Sequence, residues 1–306
     1  MKRAQFLLVA ALAAPGPAAG QDASGPRPDA ETLAQFWLEQ SYVSVVDFGM
    51  PEPLILEANL APQLYFGLSG NDGGWRRFVP DALTLSPKVN LRIFSDESSP
   101  IRAPSFMPQA SLYWWGGEPL TSASRFLFLR FVHHSNGEDG EFFLPDGSHN
   151  YDGGSFSTNF FEFGLVSLFE TPSEDDVWGD GWLAAGLALE VHPGFGMDDE
   201  LDTGFGRVRL TGRSAWTTAL TASWHARFDW AVTYRMASFP DVAWWEKPRW
   251  SLDSRVSVYG RRIPAAGLWL GFYWGPDYYN LGFDRFMGAL RIGASFDFLA
   301  FNRPRL

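Results

Sequence analysis

Strict two-residue alternation, repeated along the chain, limits what this sequence can fold into. From 222 to 236 the even positions read Ala, Trp, Ala, Phe, Trp, Val, Tyr, Met, and the odd positions between them Ser, His, Arg, Asp, Ala, Thr, Arg. Successive side chains on a strand point to opposite faces, so such a run makes one apolar and one polar face. The pattern returns at 250–258, 268–274 and 290–298, where Leu290 and its partners alternate with Arg291, Ser295 and Asp297. Turn-forming clusters separate the runs, among them Asn71-Asp72-Gly73-Gly74, 95–100 and 138–154. The 222–236 run exceeds the roughly 9–11 residues that cross a bilayer. It is either a strand that projects beyond the membrane or a tight hairpin that keeps parity.

A soluble sandwich also alternates, so the choice of solvent rests on other features. Aromatic residues make up 16% of the chain, yet mean hydropathy is −0.12, so the apolar residues are diluted at close spacing by polar ones. Strands with one face to lipid and one to a polar lumen read this way. Trp114-Trp115, Trp244-Trp245 and Tyr278-Tyr279 suit interfacial girdles. Residues 1–20 read as a secretory signal peptide: Lys2 and Arg3, an apolar stretch 4–14, and Ala18-Ala19-Gly20 before Gln21. No later run reaches the length of about 18 apolar residues that a spanning helix needs. The expected fold is all-β, a transmembrane antiparallel β-barrel. About 24 residues per strand and connection give about 12 strands, and counts of about 10 to 14 satisfy the same arithmetic. Residues 21–40 then form a periplasmic lead-in, with 32–40 a short helix, and 41–306 the barrel in a bacterial outer membrane. The chain has no cysteine and a net charge of −11. The charge argues against nucleic-acid binding, which needs a basic footprint; acidic loops suit divalent cations or simple solubility.

One run carries chemistry. In 125–137, Leu127, Leu129 and Phe131 share parity with His133 and Ser135, while Arg130 and His134 take the other face. His133 can therefore reach Ser135 as a general base, and on a barrel that greasy face looks at lipid. A second run, 155–165, puts Asn159, Phe161, Phe163 and Leu165 on one face and Glu162 on the other. If the two strands are neighbours, Asn159 can accept from the His133 ring N–H and fix its tautomer. A neutral amide does this at lower cost in an apolar setting than a carboxylate. On spacing alone, polar residues at a barrel rim account for the same pattern.

These residues give a resemblance. The chain resembles the outer-membrane phospholipase A family, whose His-x-Ser-Asn-Gly and Ser-x-Ser-x-Asn signatures are matched at 133–137 and 155–159. Ser98-Ser99-Pro100-Ile101-Arg102 with Pro108-Gln109, and Leu189-Glu190-Val191-His192-Pro193 with the acidic run 197–202, are further matches, and Tyr278-Tyr279-Asn280 is a weaker one. The resemblance implies a 12-stranded barrel and calcium-dependent hydrolysis of phospholipid acyl esters by a homodimer, with the active site on the outer surface. By position, Ser135 matches the nucleophile, His133 the base, Asn159 the orienter and the Gly137 amide the oxyanion donor. Ser155 matches a calcium ligand through its hydroxyl, Glu138 one through its carbonyl, and Asp199 the acidic ligand given by the neighbouring subunit. Gln109 matches a buried polar residue at the dimer interface. The segment between Ser135 and Asn159 is longer than is usual in the family and carries Glu138, Asp139, Glu141, Asp146 and Asp152.

Other readings compete. A lipid A deacylase of the small-barrel type also uses His-x-Ser-Asn, but predicts a shorter chain and an acidic third member. A porin-like or structural barrel predicts an open lumen and no role for Ser135. A zinc site from His133, His134 and His149 needs three convergent ligands, and adjacent histidines on a strand diverge.

Overall fold

The computed structural model describes residues 39–49, 52–68, 78–95, 97, 101–116, 123–171, 181–202, 204–221, 223–236, 243–260 and 263–296. The signal-peptide reading, nearly all of the lead-in and the Ser98-Ser99-Pro100 motif fall outside these residues. Thirteen strands are formed: β1 (Ser41–Phe48), β2 (Leu54–Leu60), β3 (Leu64–Gly67), β4 (Ala82–Phe94), β5 (Ser105–Gly116), β6 (Ala123–Ser135), β7 (Ser157–Thr171), β8 (Gly181–Val191), β9 (Val208–Thr221), β10 (Trp224–Arg235), β11 (Trp250–Gly260), β12 (Ile263–Pro276) and β13 (Phe286–Phe296).

Apart from β2 and β3, each strand pairs antiparallel with its sequence neighbour, and β1 pairs with β13. β2 and β3 pair with successive halves of β4, so they act as one interrupted strand and the sheet closes as a 12-stranded barrel. Pro87 sits where β4 faces that interruption, as suits a residue with no N–H for a ladder. The 222–236 run is a strand, with β10 beginning at Trp224. Closure through β1, β2 and β13 pairs most strand edges, as a sheet standing in hydrocarbon requires, while β3 pairs with β4 alone.

Alternation becomes inside and outside. Leu127 (55% exposed), Phe163 (52%), Leu187 and Ile292 face out, while Phe126, Phe128, Val132 and Arg291 face in. The interior is packed along much of its length and is less uniformly polar than expected. Toward the β6–β7 connection it holds an ionic network: Glu57 meets Arg92 at 2.7 Å and Arg291 at 3.2 Å, and accepts from Tyr42 and Tyr278. Arg92 also grips Asp277 with two bonds. Nearer the other end Tyr113, Phe126, Phe128, Val166 and Leu168 form an apolar core. There the Phe128 ring covers Gly164, where an added Cβ would come within 2.1 Å of it. A cavity of about 250 Å³, bordered by Glu39, Glu162, Arg213, Arg227, Asp229 and Arg255, occupies part of the interior.

Three connections at the site end share a second core of Phe142, Phe156, Leu201, Phe205, Leu281 and Phe283. They follow β6, β8 and β12, which lie on opposite sides of the barrel, so the cluster spans the mouth. The long 136–156 connection is a folded hairpin, bridged at Gly140/Gly154 and Phe143/His149. It is pinned to the connection after β12 by Tyr151, whose hydroxyl donates to Asp284 at 2.9 Å. Burial draws the Asp284 carboxyl up, but the hydrogen bonds it accepts outweigh this and hold it below the usual carboxylate range.

Candidate active site

β6 and β7 pair without a bulge from Ala123/Phe169 to Ser135/Ser157, and this register sets Asn159 directly across from His133. Both share the outward parity of Leu127 and Phe163. His133 Nδ1 lies 2.9 Å from Asn159 Oδ1. Asn159 Nδ2 donates to the Phe195 carbonyl at 2.9 Å, which fixes the amide so that only its oxygen can face the ring. An amide oxygen only accepts, so in the neutral ring Nδ1 carries the proton and Nε2 the lone pair. Ser135 stands two residues from His133 on the same face, with Ser157 opposite it.

The connection after β8 folds back over this pair. Ser157 donates from its hydroxyl to the Gly196 carbonyl at 3.1 Å and from its backbone to Asp198 Oδ2 at 2.6 Å. Partial burial pushes the Asp198 carboxyl up, and the neighbouring Glu200 and Asp199 add to this against the Ser157 hydrogen bond. Gly196 has φ +60°, and a Cβ there would lie 2.3 Å from Asn159 Nδ2. Asn136 is buried and works as a clasp: Nδ2 donates to the Gly154 carbonyl at 2.7 Å, and Oδ1 accepts from the Glu138 and Phe156 amides at 3.2 and 3.0 Å.

Gly137 is exposed with φ +75°, and an added Cβ would meet the Phe106 ring at 3.4 Å. The backbone conformation favours glycine there, while that contact is an ordinary one. The Asn136 clasp brings the backbone amides of Glu138 and Phe156 to one oxygen. Asp199 is exposed on the 3-10 turn Asp199–Asp202. Among the described residues no three His, Cys, Asp or Glu side chains converge as a metal site, so a cation here would need hydroxyl or carbonyl oxygens among its ligands. Calcium accepts such a mixed oxygen set.

Gln109 shares its side of β5 with Ser111 and Tyr113, both buried inside the barrel, and pairs with the inward-facing Val132. His134 faces inward beside Thr158, which meets His192 Nδ1 at 2.8 Å, and His192 in turn meets Glu190. His149 lies 3.1 Å from Asp284, so the three histidines do not gather. Sequence reading missed Asn136, Phe195, Gly196 and Asp198. Asn136 stood in the five-residue signature and Asp198 in the acidic run 197–202, whereas Phe195 and Gly196 act through a carbonyl and a backbone conformation, which side-chain identity does not disclose.

Fold and site together define a 12-stranded antiparallel barrel carrying serine, histidine and asparagine on its outer wall. Among solved structures, this is the fold of outer membrane phospholipase A. The protein from Escherichia coli matches over 90% of this chain and 94% of its own, with a TM-score of 0.54 at 16% identity. An active-site mutant of the same protein at pH 6.1 matches with a TM-score of 0.53 at 15% identity, over 90% of this chain and 94% of that one. The Salmonella typhi outer membrane phospholipase, solved as a dimer with bound calcium, matches over 85% of this chain and 92% of its own, with a TM-score of 0.52 at 14% identity. No protein-family model and no curated protein sequence matches the chain.

Proposed function

We propose that this protein is a bacterial outer-membrane phospholipase that hydrolyses acyl ester bonds of phospholipids, of A1 or A2 type and including lysophospholipids. The observation that carries the reading is the doubly held Asn159 amide, which presents its oxygen to His133 Nδ1 and so leaves Nε2 as the base. Ser135 Oγ attacks the ester carbonyl carbon while its proton passes to His133 Nε2. The tetrahedral intermediate collapses, the C–O bond to the lysolipid breaks, and the leaving oxygen takes that proton. Water, deprotonated by the same nitrogen, then releases the fatty acid and restores Ser135. The Gly137 amide donates to the developing oxyanion. Asn159 stays neutral and stabilises the imidazolium by its orientation. Ser155, the Glu138 carbonyl and Asp199 of a second subunit would hold calcium, which when bound supplies positive charge beside the oxyanion. A lipid-facing site suits a substrate that arrives by lateral diffusion.

The test is mass-spectrometric assay of the purified protein on defined phospholipids, with and without calcium. Ser135→Ala and His133→Ala should each lower turnover by about 10³-fold or more, and Asn159→Ala by less, because it moves no proton. Near-wild-type turnover by Ser135→Ala would exclude the mechanism.

A further inference from the structure

Directly along the wall from the His133–Asn159 pair stand three phenylalanines that the hydrolytic mechanism leaves without a task. Phe131 and Phe161 face each other across β6 and β7, two residues from that pair, with ring centroids 5.3 Å apart. Phe195 reaches over from the connection after β8, its ring 6.4 Å from that of Phe131 and tilted only 10°, and 6.1 Å from that of Phe161. It remains 51% exposed. The same residue supplies the carbonyl that holds Asn159 Nδ2. Ring and amide anchor therefore move together.

Distance gives the trio a selective role. Phe131 lies four residues along β6 from Ser135, about 13 Å at the strand rise. An acyl group on Ser135 whose chain runs down the wall reaches the rings only if it is long; a butyryl chain ends well short of them. Lipid tails already wet these rings, so the gain on contact is not transfer from water. It is ordering: a chain held against Phe195 steadies the carbonyl that fixes Asn159, and a well-placed orienter raises the rate of the chemical step.

We propose that Phe131, Phe161 and Phe195 form a fatty-acyl site and that Phe195 is its specificity-determining residue, linking long-chain occupancy to the order of Asn159. The inference rests on the hydrolytic reading above. Wild type and Phe195→Ala are compared in one detergent on dibutyryl and dipalmitoyl phosphatidylcholine, with kcat and KM measured separately. Phe195→Ala should lower the ratio of palmitoyl to butyryl kcat by roughly tenfold, as loss of a positioning contact does, and Phe195→Leu should restore much of it. If Phe195→Ala does not fold, Phe161→Ala reads the same ratio. A ratio unchanged from wild type overturns the acyl site while leaving the serine mechanism intact. A wild type inactive on both lipids, or equalled by Ser135→Ala, removes the hydrolytic reading itself.

Discussion

Gly196 shows how a residue without a side chain can set the geometry of a site. Its φ of +60° lies in the left-handed region, and its missing Cβ leaves the space that Asn159 Nδ2 occupies. Gly196→Ala should therefore push the Asn159 amide aside and release His133 Nδ1. A displacement near 1 Å at a positioning group costs about 10²-fold in rate. Turnover of the folded variant, with folding checked by heat-dependent mobility on gels, is the measurement. Retention of full activity would mean that the Phe195 and Gly196 carbonyls do not govern the site. His133, Ser135 and Asn159 were legible from the sequence because parity on a strand is local. Gly196 and Phe195 were not, because their contribution lies in a backbone angle and a carbonyl direction.

At the scale of the strand, β6 has two faces in two solvents. Leu129 shares the outward face with Leu127 and Phe131, whereas Arg130 points in, donating to Ser111 and pairing with Glu162 at 2.8 Å. Leu129→Lys should cost roughly 2–4 kcal/mol if that position faces mid-bilayer. Arg130→Lys keeps a cation beside Glu162 and should cost less. Urea titrations of folding into vesicles would compare them; equal tolerance at the two positions would contradict the outward assignment of the site. Alternation was legible in β10, β11, β12 and β13. It was ambiguous in β5, where Met107, Tyr113 and Trp115 make the odd face as apolar as Phe106, Ala110 and Leu112 make the even one. The folded hairpin at 136–156 was also hidden, since its apolar partners Leu201, Phe205 and Phe283 come from distant connections.

For the whole molecule, assembly and metal are coupled in the proposed function. If the Ser155 hydroxyl and Glu138 carbonyl come from one subunit and Asp199 from another, a cation bound only in the dimer must favour the dimer. Calcium should shift the protein from monomer toward dimer in detergent, and a chelator should abolish activity without unfolding the barrel. Asp199→Ala should weaken calcium-dependent dimerisation by about tenfold, a change of ~1.4 kcal/mol, with Asp198 and Asp202 available as partial substitutes. Sedimentation across a calcium titration, run beside lipase activity, decides it. An active monomer indifferent to chelator would leave the serine mechanism standing and remove the switch.

Period and parity were sufficient, in the sequence alone, to specify strands, an apolar outward face and a serine and histidine on it, because each depends on neighbours one or two positions apart. Which strand lies beside which depends on closure, and closure turned His133 and Asn159 into a pair across the β6–β7 ladder. The interior was equally beyond local reading: Arg92 finds Asp277 185 positions away, and Arg291 finds Glu57 at a separation of 234. Such charges stay buried only because the barrel brings their counterions to them. The orientation of Asn159 was likewise decided in three dimensions, by a loop that begins more than thirty residues later and returns to the wall with a carbonyl and a phenyl ring.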